Sequence, residues 1–195
     1  MEDRKWILRW SRYVTILFVV GAFSAVAHEY GHFFAHKALG YHPKVNFSAG
    51  RVETYDAKGN LDPNQTPTEK IIFSVGGPAM TLLLAVCFTI LYLRRRDSFL
   101  LFALAILNAV MRLNMLVDGF NSDEGNISEI LLKMLGNQGV FLVPLVEWTL
   151  CIGLSCLLVR RQEFFKRTYW FIPLFFLIGA VSMISSFKIL GHVFG

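Results

Sequence analysis

The sequence predicts an all-α polytopic membrane protein, with about five transmembrane helices and a short strand or hairpin after the first. Three observations carry this expectation. Of the 195 residues, 54% are hydrophobic, more than soluble domains usually hold. The apolar residues gather into five stretches near the roughly 20 residues that a helix needs to cross a bilayer. The basic residues cluster between those stretches, as membrane topology requires. A net charge of +5 in a soluble chain would point to nucleic acid. In this arrangement it points to the bilayer, and no nucleic-acid partner is expected.

The first stretch covers residues 13–39. Gly40 follows it, where a left-handed helix cap is common. Residues 41–70 hold Pro43, Gly50, Gly59, Pro63 and Pro67 among polar side chains. Within them, 45–52 read as a short strand and 56–59 as a turn. Further spans are expected over 71–93, 99–117, 140–159 and 169–190. Between the third and fourth, Ile127, Ile130, Leu131, Met134 and Leu135 recur at helical spacing, the pattern of a short interfacial helix. The chain reads as a single domain, 1–195, with its core in 13–120 and accessory helices in 121–195.

Arg4, Lys5, Arg9 and Arg12 precede the first span, Arg94, Arg95 and Arg96 follow the second, and Arg160, Arg161, Lys166 and Arg167 follow the fourth. Five spans with a cytoplasmic N-terminus put all of these on one side, which satisfies the positive-inside rule. An integral, multi-pass protein of the cell membrane is expected. Ala25-Val26-Ala27 has the look of a signal-peptide cleavage site. The later apolar segments, and Phe33 and Phe34 just beyond the motif, favour a retained span. Cys87, Cys151 and Cys156 lie in apolar segments without metal-ligand spacing and read as small buried hydrophobes.

His28-Glu29-Tyr30-Gly31-His32 lies within the first span. Residues four apart share a helix face, so His28 and His32 can hold one metal ion, with Glu29 beside it as general base. Ionisable groups at membrane depth are costly and point to function. A hydrolytic zinc site takes three protein ligands and a water. His36 continues the stripe, but eight residues of helix span about 12 Å, too far for one ion to bind His28, His32 and His36 together. Asp118 ends the third span at the membrane face where the histidines lie, and it is the favoured third ligand. Asp123 and Glu124 are alternatives, set further into a polar loop. Arg112 and Glu147 fall at similar depth in neighbouring spans and are expected to pair as a structural clamp.

Several motifs carry a family resemblance. His28-Glu29-Tyr30-Gly31-His32, followed by Phe33-Phe34-Ala35 and Gly40, resembles the site-2 protease family (M50) of intramembrane zinc metalloproteases. Val45-Asn46-Phe47-Ser48-Ala49-Gly50 is similar to that family's membrane-associated strand. Gly76-Gly77-Pro78-Ala79-Met80-Thr81 resembles its Gly-Pro-x-x-Asn motif, and Val117-Asp118-Gly119 its Leu-Asp-Gly motif. Thr81 stands where the family has Asn, and the prolines usual before Leu-Asp-Gly are absent, with Asn114 marking that region.

The resemblance implies Zn2+ held by His28, His32 and Asp118, with Glu29 catalytic. It also implies substrate contacts at Gly77, Pro78, Thr81, Asn114, Phe47 and Ser48. The expected reaction is hydrolysis of a peptide bond in or near a transmembrane segment of a membrane-protein or peptide substrate. In it, Glu29 takes a proton from the zinc-activated water and returns it to the leaving amine. Two alternatives are a non-catalytic metal-binding membrane interaction or assembly protein, and a metal transporter. A structural metal has no need of Glu29, and transport favours ligands spread along a path.

Overall fold

The computed structural model describes residues 2–49, 51–61, 65–95, 98–110, 123–136 and 149–160, with short helical stretches between 177 and 193. Helix α1 is Glu2–Ala38. Its 37 residues make a rod about 55 Å long at 1.5 Å per residue. It ends where expected. Gly40 takes a φ of 84°, the Tyr41 N–H reaches the His36 carbonyl, and the Gly40 N–H reaches that of Lys37. These two bonds form the Schellman motif, which satisfies the last carbonyls of the helix.

The expected strand over 45–52 is instead a hairpin. Strand β1, His42–Asn46, pairs antiparallel with β2, Arg51–Tyr55, in the register His42 to Tyr55 and Asn46 to Arg51. The single strand breaks at Asn46, whose Oδ1 accepts the Ala49 N–H at 3.0 Å and so turns the chain. The Asn46 side chain also donates to Glu53 at 2.7 Å across the hairpin. Phe47 and Ser48 therefore sit at the tip, not along a strand edge. The expected turn at 56–59 is present. Asp56 accepts from Lys58 and Asn60, and Gly59 takes a φ of 81°.

Helix α2, Pro67–Arg94, opens on a capping box in which the Thr66 hydroxyl and the Glu69 carboxylate exchange bonds with each other's backbone N–H. Helix α3 is Phe99–Val110. Ser98 caps it by accepting the Leu101 N–H. Helix α4, Asp123–Leu135, matches the periodic apolar stretch after the third expected span and stops at Gly136, φ 73°. Helix α5 is Thr149–Arg160. Helices α1 and α2 are long and apolar enough to cross a membrane. The remaining expected spans, and Arg112 and Glu147, lie wholly or partly outside the described residues.

The core lies between α1, α2, α3 and α5. It contains Leu17, Val20, Tyr92, Phe102, Ile106, Leu107 and Leu158. Cys151 is buried as expected, but Cys87 and Cys156 are exposed, because their helices turn those faces away from this core. Helices α1 and α2 approach most closely at Gly31 and Gly76. A Cβ on Gly31 would stand 2.4 Å from the Gly76 carbonyl oxygen, and one on Gly76 would stand 2.6 Å from that of Gly31. Small residues at such crossings let backbones meet. Gly31→Ala is expected to force the two helices apart and cost about 1–3 kcal/mol, as overpacking does. A drop in Tm of the detergent-solubilised protein checks this.

Candidate metal centre

The one-turn spacing of His28 and His32 brings both imidazoles to the α2 side of α1, and both are buried. Their Nε2 atoms are 3.1 Å apart. A third donor arrives from the first residue of α4. Asp123 Oδ2 lies 3.0 Å from His28 Nε2 and 3.1 Å from His32 Nε2. Among the described residues this is the group that could hold a metal ion. Asp118, the favoured third ligand in the sequence, lies outside the described residues. The carboxylate brought to the histidines is Asp123, which the sequence alone offers as an alternative in a polar loop. It reaches them because α4 begins at this residue and packs on α2.

The donor set fits a cation. His32 Nδ1 is 2.6 Å from the Phe73 carbonyl oxygen. The Gly77 N–H also points at Nδ1, at a longer 3.3 Å; the Phe73 carbonyl, which only accepts, makes the shorter contact, so Nδ1 carries the proton and Nε2 presents its lone pair. A backbone carbonyl behind a ligating histidine is a common way to set its tautomer. That lone pair then faces a second imidazole nitrogen and a carboxylate oxygen at 3.1 Å. With His28 Nε2 also presenting a lone pair, the three atoms would form a focus for a positive charge. Their spacing is near the roughly 3.3 Å between ligands of a tetrahedral zinc with bonds of 2.0–2.1 Å. The Asp123 side chain is 27% exposed, against 10% and 11% for His28 and His32. The centre therefore opens to solvent beside the carboxylate.

Glu29 is buried beside His28, and its Oε2 has no hydrogen-bond partner. An unpartnered buried carboxylate oxygen is expensive and is expected where a proton must be taken up. His36 is not a donor to this centre. Its Nδ1 is 2.7 Å from Thr54 Oγ1 on β2, and its ring stacks on Phe73 at 3.6 Å.

The residues expected to contact substrate divide into several groups. Gly77 faces the two imidazoles directly. A Cβ there would lie 2.3 Å from His32 Nε2 and 2.7 Å from His28 Nε2. Its role is to leave room for the centre, a requirement that only the three-dimensional crossing reveals. Pro78 is inside α2, where it removes a helix N–H. Thr81 is fully buried, and its hydroxyl is shared between the carbonyls of Gly77 and Pro78 at 3.2 and 3.1 Å. It is thus engaged within its own helix. Ser48 donates to the Gly191 carbonyl at 3.1 Å. Phe47 is half-buried at the hairpin tip, and Asn114 lies outside the described residues.

Asp123→Asn is expected to weaken zinc binding at least tenfold, because a charged oxygen donor is lost. Asp118→Asn in the same titration compares the two carboxylates. Gly77→Ala should abolish stoichiometric binding while leaving helix content unchanged. Metal analysis and circular dichroism of the purified variants read both results.

Comparison of the chain with protein-family models, curated proteins and solved structures finds no match.

Proposed function

We propose that this protein is a multi-pass intramembrane zinc endopeptidase that cuts a peptide bond in or near a transmembrane segment of its substrate. The observation that carries this reading is the buried, unpartnered Oε2 of Glu29 beside the triangle of His28, His32 and Asp123. A purely structural metal has no use for that carboxylate. The membrane setting is supported by large apolar side chains that α1 and α2 turn outward, among them Val19, Phe34 and Leu83. Five spans with a cytoplasmic N-terminus accommodate the basic clusters.

His28, His32 and Asp123 would hold the zinc, and bound zinc would supply the Lewis acidity that activates water and polarises the scissile carbonyl. Glu29 takes the proton of the attacking water and gives it to the departing amine. Gly77 keeps the floor of the site free of side chains. The Phe73 carbonyl keeps the His32 lone pair turned inward. The substrate's amides are bonded within its own helix, so the cut segment must unwind. The hairpin offers an edge on which an extended segment can pair.

A second reading, a metal-holding assembly protein without catalysis, is favoured by Thr81. Its hydroxyl is committed to its own helix and is unavailable to a substrate backbone. Glu29→Gln separates the two. It should reduce cleavage of membrane-spanning test peptides by at least a hundredfold, the low end for a general base, with zinc content unchanged. Full activity in that variant overturns the protease reading.

A further inference from the structure

Thr54, on β2, lies outside the metal centre but is tied to it by contacts that are all short. It is 2% exposed, and its hydroxyl is 2.7 Å from His36 Nδ1. The His36 ring lies on the Phe73 ring at a centroid separation of 3.6 Å and an interplanar angle of 10°. Tyr41 also meets Phe73, with the rings near perpendicular at 5.4 Å. Tyr41 donates to Glu69, the capping carboxylate of α2. Phe73 thus contacts two rings near the start of α2. Its carbonyl is the group that receives His32 Nδ1–H at 2.6 Å.

We infer that Thr54 is a positioning residue for the metal centre. The hairpin holds His36, His36 and Tyr41 hold Phe73, and the Phe73 carbonyl fixes the orientation of His32. The inference rests on the assignment of His32 as a ligand, and it adds that the hairpin's seating on α1 sets how well that ligand is presented. His36 is thereby given a use that metal geometry denied it. Its imidazole can bond to a strand hydroxyl and stack on a ring at once, which neither an apolar residue nor a lysine can do. A segment pairing with the hairpin would act on the strand that carries this hydroxyl.

The experiment uses the full-length protein in detergent, with four variants. Thr54→Val removes the hydroxyl and keeps the shape. His36→Phe keeps the stack and removes the acceptor. Thr54→Val with His36→Phe removes both, and Thr54→Ser restores the hydroxyl. Zinc affinity is expected to fall about tenfold in Thr54→Val, the low end for groups supporting a ligand. It should fall similarly in His36→Phe, no further in the double variant, and return in Thr54→Ser. Cobalt absorption bands should weaken in the same order. In metal-free protein labelled with 15N-histidine, the His32 Nδ1–H signal should move in Thr54→Val and return in Thr54→Ser.

Unchanged zinc affinity together with an unmoved His32 signal in Thr54→Val overturns the inference. Losses that add in the double variant also overturn it, because the two side chains would then act separately. The labelled metal-free measurement stands apart from catalysis. A protein that fails to cleave peptides but shows the shift would lose the protease reading and keep this one.

Discussion

Everything at the centre depends on how closely two helix backbones meet. Helices α1 and α2 touch through Gly31 and Gly76, where a single methyl on either would press on the other's carbonyl. That contact places Gly77 against the two imidazoles and the Phe73 carbonyl within reach of His32. Without it, His28 and His32 would remain two histidines on one face of a helix. With it, one has a set tautomer and both share a common focus. The glycine between Tyr30 and His32 in the motif is therefore a packing requirement, placed by the helix period on the face that α2 must approach.

The centre draws on elements far apart in sequence, and each contributes something different. Helix α1 supplies the two histidines and the buried Glu29. Helix α2 supplies a floor without side chains and a backbone acceptor. Helix α4 supplies the carboxylate from its first residue. A negative side chain at a helix N-terminus also meets the positive end of the helix dipole, so Asp123 suits both the start of α4 and the metal focus. Because it is the most exposed of the three donors, the centre is open to solvent on its side.

Much of this was legible in the residues, and the parts that were not share a cause. The histidine stripe, the Gly40 cap, the turn at Asp56 and the helix over 123–135 are local patterns, decided within a few residues by helix period, backbone freedom and side-chain bonding. The carboxylate beside the histidines was not local. Asp123 looked like a loop charge because its identity as a helix start, and the docking of that helix on α2, are settled by tertiary contact. The surroundings of Thr81 were not legible for the same reason. Its motif position points to substrate, while burial and two nearby carbonyls turn the hydroxyl back on its helix. The exposed Cys87 and Cys156 show that an apolar stretch does not say which of its faces is covered.

The place of the histidines along α1 has a geometric consequence. His32 and His28 lie six and ten residues before the helix ends at Ala38, or roughly 9–15 Å below its tip. The hairpin begins just beyond that tip. At about 3.3 Å per residue, an unwound stretch of roughly three to five residues bridges from hairpin to cation. Under the proposed function, a substrate chain gripped at the rim would deliver to the bottom a bond a fixed count of residues from its grip. In that reading, depth would act as a ruler, selecting the cleavage position by distance more than by side-chain identity.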